Sequence, residues 1–164
     1  MAVLPDVLTD NLSIVFCGSA AGHRSARVGA YYAGPGNRFW PTLSAAALTP
    51  RRLAPHEFRS VVRYGLGLTD LCKDAYGRDS ELPVGADDKV ALRSKILGFR
   101  PKILAFVGKR PAAVFLGRPV HCGLQPDRVD CTRIFVLPSP SGAARGHWDE
   151  AWWHQLAALR DDCR

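Results

Sequence analysis

The chain has 164 residues, of which 47% are hydrophobic, and carries a formal net charge of +7. That length suits one domain with a substantial core and is short for two ordinary ones, while the apolar content excludes a disordered chain. No apolar run approaches the ~20 residues needed to span a bilayer, and the opening Met-Ala-Val-Leu-Pro-Asp lacks the basic start and long apolar core of a secretory signal. A single domain over residues 1–164, cytoplasmic and monomeric with no membrane partner, is the expectation.

A pI of about 9.5 permits an acidic partner, nucleic acid first, although the basic residues are spread along the chain rather than clustered. Cys17, Cys72, Cys122, Cys131 and Cys163 are odd in number and never form a C-x-x-C pair. They read as free thiols, with no spacing that supports a disulfide framework, a zinc site or an iron–sulfur cluster. No metal and no cofactor is expected.

In chain order, Leu12 to Cys17 is a near-continuous apolar run, as in a strand buried on both faces of a parallel sheet. The Gly/Ala/Ser/Arg-rich stretch Gly18 to Gly36 shows no helical period and reads as a long loop, of a length that in compact domains usually serves function. Phe39, Trp40, Leu43, Ala46 and Ala47 have helical spacing, with Asn37 as N-cap. A second helix is predicted over Pro55 to Arg63, with proline in its first turn. Tyr64 to Cys72 reads as an extended segment and Lys73 to Ala86 as a loop.

Asp87-Asp88 start a predicted helix through Val90, Leu92, Ile96 and Leu97 that ends at Gly98. Ile103 to Val107 is a second buried strand, followed by a helix over Pro111 to Leu116. Ile134 to Leu137 is a third strand. It breaks at Pro138-Ser-Pro-Ser-Gly-Ala-Ala-Arg145, and a last helix over Trp148 to Arg160 buries Trp152, Leu156 and Leu159. Strands alternating with helices predict an α/β fold, a three-layer α/β/α sandwich around a central, mainly parallel sheet. The loops after the first and third strands and the turn near Asp70 then gather along one sheet edge, where such folds bind ligands.

Five segments, in order, carry a family likeness. Val15-Phe-Cys-Gly-Ser-Ala-Ala-Gly22 stands where the mismatch-specific uracil/thymine-DNA glycosylases, within the uracil-DNA glycosylase superfamily, have a strand and G-I-N-P-G. Ala33-Gly-Pro-Gly-Asn-Arg-Phe-Trp40 resembles their H-P-x-N-R-F-W, and Tyr64-Gly-Leu-Gly-Leu-Thr-Asp-Leu71 their Y-G-x-G-x-T-x-L. Leu104-Ala-Phe-Val-Gly-Lys109 resembles L-A-x-L-G-K, and Leu137-Pro-Ser-Pro-Ser-Gly-Ala-Ala-Arg145 resembles L-P-N-P-S-G-L-S-R.

The resemblance implies a DNA glycosylase that flips a nucleotide out of the stack, closes a pocket round the base and starts base excision repair on DNA containing uracil or related lesions. It implies a base pocket of Gly18, Ser19, Ala20, Tyr32, Asn37 and Ser139, with Tyr32 as the stacking aromatic. Asn37 equally suits a helix cap, and Tyr32 a loop aromatic packed on the core. Ser141, Gly142, Ala143, Ala144 and Arg145 correspond to the loop that wedges into DNA; Ala143 stands where the family often has a larger apolar residue. No lysine in the matched pocket is placed to form a Schiff base, which implies a monofunctional enzyme.

Ala20 departs from the pattern. It occupies the position of the catalytic Asn, whose amide holds the attacking water, and a methyl group makes no hydrogen bond. Breaking an N-glycosidic bond leaves positive charge on the sugar and negative charge on the base, so a carboxylate near the sugar is the natural substitute. Asp70 is the first candidate, as some superfamily branches lacking the Asn use an Asp; its alternative is an Asx turn. His23, directly after the small-residue loop, is the second, with a solvated loop histidine as its alternative. Two other classes stay open: a binder of uracil-containing or abasic DNA that has lost catalysis, and a small-molecule α/β enzyme, although the chain has no G-x-G-x-x-G and no Walker lysine.

Overall fold

The computed structural model describes residues 2–142, 146 and 148–163. Five strands pair into one sheet: β1 (Ile14–Gly18), β2 (Leu66–Asp70), β3 (Ile103–Val107), β4 (Gly123–Val129) and β5 (Thr132–Leu137), in the order β2-β1-β3-β5-β4. All neighbours are parallel except β4 and β5. The alternation of side chains along a strand sends each residue type to a definite side. Ile14 and Phe16 of β1, with Leu66, Leu68, Ile103 and Ala105, face one core cluster, and Val15 and Cys17, with Leu104, Phe106, Ile134 and Val136, face the other.

Helices cover both faces. The first cluster is closed by α2 (Phe39–Ala45), the 3-10 helix Pro55–Tyr64 and α5 (Ala151–Asp162), through Phe39, Leu43, Phe58, Val61, Trp153 and Leu156. The second is closed by α3 (Lys89–Phe99) and α4 (Lys109–Leu116), through Leu92, Ile96, Ala112 and Phe115. The expected three-layer α/β/α arrangement is therefore what the chain adopts. Among the described residues no helix is long and apolar enough to cross a membrane.

Several local expectations need correction. The stretch read as one loop from Gly18 to Gly36 contains a short helix, α1 (His23–Val28), closed by Gly29 in the left-handed region at φ 71°. Only Ser25 of α1 is buried, so the helix has no apolar stripe to give it a period. Strand β4 had no signal because it is an antiparallel edge strand with Pro126 inside it and alternating exposure. The segment over Pro55–Tyr64 winds as a 3-10 helix, and α3 closes at Arg100 in the left-handed region rather than at Gly98. The last helix starts at Ala151 and buries Trp153, Leu156, Ala157 and Arg160; Trp152 and Leu159 only flank that face. Asp88 caps α3 as expected, its Oδ1 accepting from the Ala91 N–H at 2.9 Å.

An aromatic pillar joins this core to the sheet edge. Trp153 packs on Phe16 with ring centroids 6.1 Å apart and edge-on to Phe39 at 5.7 Å, and Phe39 meets Phe16 edge-on at 5.3 Å. Phe39 is fully buried, and Tyr32 stacks on it. Urea unfolding of Phe39→Ala is expected to show a loss of about 3–5 kcal/mol, from lost transfer energy and the cavity left behind. Val84→Ala, at a fully exposed side chain, is expected to leave the unfolding midpoint unchanged.

Candidate active site

Gly18, the last residue of β1, lies in register with Asp70, the last residue of β2. The two chains then leave the sheet together: the Leu71 N–H donates to the Gly18 carbonyl at 2.9 Å and the Cys72 N–H to the Ser19 carbonyl at 2.7 Å. This holds the Asp70 side chain at the sheet edge beside Gly18. Asp70 is 5% exposed. Burial pushes its carboxyl up from the ordinary 3.8 to about 6, against the attraction of Lys73 and, more weakly, Lys95.

Beneath it lies a polar network that sequence reasoning did not single out. Asp6 accepts from Thr69 Oγ1 at 2.7 Å and pairs with Lys73 at 2.8 Å and Lys95 at 2.7 Å. Burial opposes ionisation of Asp6, but these bonds outweigh it and its pKa falls. Lys73 Nζ also donates to the Tyr31 hydroxyl at 3.1 Å, which donates to the Pro5 carbonyl at 2.9 Å. The lysines nearest Asp70 are thus ion-paired. The missed signal was Thr69, a buried hydroxyl in an otherwise apolar strand that needs a partner.

Tyr32 comes to the same edge from the other side. Its backbone sits at φ 53°, a left-handed conformation that aromatic residues rarely adopt. Its ring stacks on Phe39 with centroids 3.9 Å apart and 21° between planes, and lies 6.1 Å from the Tyr31 ring, tilted by 40°. The hydroxyl is buried and has no hydrogen-bond partner among the described residues, although part of the residue reaches the surface. A methyl group built on Gly18 would lie 2.9 Å from Asp70 Oδ1 and 3.1 Å from the Tyr32 hydroxyl. Glycine is required there by that close approach.

The loops after α1 and β5 meet next to it. Asn37 Oδ1 accepts from the Phe39 N–H at 2.9 Å, an Asx-type turn in front of α2, whose N-cap is Arg38 rather than the expected Asn37. The Arg38 N–H donates to the Pro140 carbonyl at 2.8 Å, and its guanidinium lies over the Trp148 ring at 5.2 Å. Ser139 Oγ accepts from the Ser141 N–H at 3.3 Å, which is a turn contact. Gly142 lies against the Pro35 carbonyl, where a Cβ would come within 3.2 Å. Ala143, Ala144 and Arg145, expected in the DNA wedge, lie outside the described residues.

Two cavities open here. One of about 440 Å³ is lined by Tyr32, Asn37, Trp40 and Arg52, the other, of about 480 Å³, by Asp70, Lys73, Asp87 and Lys95. Neither holds both Tyr32 and Asp70, and Gly18 is where the two residues approach one another. Ser19 and Ala20 are partly exposed beside it. Ser19 Oγ accepts from Arg110 at 3.1 Å, while Arg110 clasps Asp87 at 2.9 and 3.3 Å. Arg110 thereby ties the β1 loop to α4, a role visible only once the strands are aligned.

His23 does not join this group. It begins α1 at the surface, its Nε2 2.9 Å from Glu81 Oε1 and its ring edge-on to Tyr76 at 5.6 Å. The Arg78 N–H and then His23 hold Glu81 below the usual carboxylate range. No hydrogen bond or ring contact joins His23 to Asp70 or Tyr32 among the described residues.

The model of the uracil DNA glycosylase superfamily matches residues 5–161. The chain belongs to that superfamily. Among solved structures it resembles the solution structure of a candidate uracil DNA glycosylase from Methanosarcina acetivorans, at 22% identity and a TM-score of 0.64, with 96% of each chain covered. At that identity the likeness shows the shared α/β fold. Membership of the superfamily supports a DNA glycosylase-like function.

The raised pKa makes a stability prediction. The folded state binds the Asp70 proton more tightly than the unfolded chain, so the stabilisation from protonation is present at low pH and is lost as pH rises from about 4 through about 6. At pH 7.5 the ionised carboxylate is a burden on the fold. Thermal unfolding of Asp70→Asn is expected to show a gain on the order of 2–3 kcal/mol at pH 7.5, shrinking towards zero at pH 4.

Proposed function

We propose that the chain is a monofunctional uracil-DNA glycosylase of the mismatch-specific type, in which Asp70 replaces the water-holding Asn whose position Ala20 occupies. The observation that carries this reading is the buried Asp70 carboxyl at the carboxyl end of β2, ionised above a pH of about 6 and set beside Gly18. In the proposed reaction a uracil nucleotide leaves the duplex and its base stacks against Tyr32. Asp70 orients a water, takes its proton as the oxygen bonds to the sugar C1′, and stabilises the positive charge there while the C1′–N bond breaks. The bond electrons leave with the base.

Gly18, Ser19 and Ala20 form the backbone wall of the pocket in this reading, and Ser139 lies near its rim. Asn37 braces it through its bond to the Phe39 N–H at the start of α2. Ser141, Gly142, Ala143, Ala144 and Arg145 fill the stack and contact phosphate. Lys73 and Lys95 face the Asp70 cavity, but their pairing with Asp6 makes them poor nucleophiles, which supports hydrolysis without a Schiff base. His23, held by Glu81, is assigned no part in bond cleavage.

A second reading has one observation in its favour. Ala20 offers no hydrogen bond to water, which suits a protein that binds uracil or abasic DNA without cutting. The two are separated by incubating the protein with uracil-containing single- and double-stranded oligonucleotides, treating with alkali and resolving strand breaks. Wild type is expected to yield alkali-dependent breaks and Asp70→Asn at least about 100-fold fewer. The rate should fall about tenfold per pH unit below pH 6, and borohydride should trap no covalent complex. Binding without breaks, with Ala20→Asn gaining the activity, establishes the binder; cutting that Asp70→Asn leaves intact removes Asp70 from the mechanism. In either reading, affinity for DNA is expected to fall steeply with added salt.

A further inference from the structure

The buried Tyr32 hydroxyl is not accounted for by stacking, which needs only the ring. A phenylalanine would stack on Phe39 equally well and would spare the chain a buried donor without an acceptor, a feature that native cores avoid. The unmatched hydroxyl lies close to Gly18 and Asp70. It lies 3.1 Å from the point where a Gly18 Cβ would stand, and Asp70 Oδ1 lies 2.9 Å from the same point. The two oxygens are therefore no further apart than roughly twice a hydrogen-bond length, a gap that a single water or a small side-chain shift closes. Residue 18, being glycine, puts no side chain between them.

The chemistry of the two groups is complementary. Burial, and then the charge of Asp70, hold the Tyr32 phenol far above its usual pKa, so it remains a donor throughout the working pH range. Asp70 ionised is an acceptor only, and no hydrogen bond to its carboxylate is found among the described residues. The polar network below Asp70 does not supply one: Lys73 and Lys95 are spent on Asp6, and Thr69 donates to Asp6 as well. Cys17, the other titratable group of this strand end, is directed to the Gly18 carbonyl at 3.4 Å.

We infer that the Tyr32 hydroxyl is a positioning residue for Asp70: it donates across Gly18, directly or through one water, to Oδ1, and so fixes the carboxylate and the water it holds. Tyr32 then has two separable functions, a ring that receives the base and a hydroxyl that replaces one of the hydrogen bonds lost with the missing Asn. Gly18 is the third member, since any side chain there would part the other two.

The kinetic half of this inference rests on Asp70 being the reacting carboxylate; the pairing does not. The test uses Tyr32→Phe and Gly18→Ala of the full chain, with backbone amide spectra confirming that each is folded. The Asp70 carboxyl is titrated by 13C NMR. Loss of a donor to the charged form should move its midpoint upward by half a unit or more in both variants, and an unchanged midpoint in folded Tyr32→Phe overturns the pairing whether or not uracil is excised. On uracil-containing DNA, Tyr32→Phe should lower kcat about tenfold with KM within about twofold, and shift the acidic limb of the pH profile upward with the NMR midpoint. A raised KM with kcat and the limb unmoved overturns the positioning role. A shifted midpoint in a protein that excises nothing supports the pair and counts against the proposed function instead.

Discussion

The molecule depends on one neighbour relation, the register that sets Gly18 opposite Asp70 at the ends of two adjacent parallel strands. Parallel pairing fixes both residues at the same edge, and the bonds from Leu71 and Cys72 to the Gly18 and Ser19 carbonyls carry the alignment past the sheet. A carboxylate in that place is out of water, and no hydrogen bond of the described residues relieves it. The fold carries that burden because the rest of the sheet, buried on both faces, holds the two strands regardless of what stands at their ends.

The aromatic pillar works on the same edge from the core side. Trp153, Phe16 and Phe39 are buried in one cluster, and Phe39 supports Tyr32 in a backbone conformation that it would not adopt alone. Rigid packing below and a strained residue above is an arrangement that places a ring and a hydroxyl with little freedom. The Arg110 clasp on Ser19 and Asp87 and the Arg38 contact with Pro140 hold the two loops that flank it. Stability and the proposed chemistry are therefore drawn from different parts of the same edge: the apolar strands provide the first, and the buried polar groups are assigned the second.

Much of the site was legible because its residues lie in local patterns. The apolar run ending in Gly18, the Asn37-Arg38-Phe39-Trp40 segment and the Pro/Ser/Gly loop after Leu137 each announce a structural break, and the sheet brings all three to one edge. What escaped was of two kinds. Elements without an apolar stripe, such as α1 and the edge strand β4, had no period to detect. Relations between distant residues, such as the Asp6 network, the Arg110 clasp and the pairing of His23 with Glu81, join residues far apart in the chain, and no local pattern encodes them. His23 is the instructive case: sequence proximity to the small-residue loop suggested the pocket, and the turn into α1 carried it to the surface.

The sequence by itself determined the alternation of buried strands and amphipathic helices, and with it the three-layer fold, because burial on both faces requires near-continuous apolar runs whatever their partners. It also named Asp70 and Tyr32 as residue types worth attention. Only the tertiary structure decided that they meet. The aim of a side chain at a strand end depends on register and on what packs behind it, and it took the β1–β2 pairing, together with Phe39 under Tyr32, to turn a carboxylate and a phenol 38 positions apart in the numbering into neighbours across one glycine.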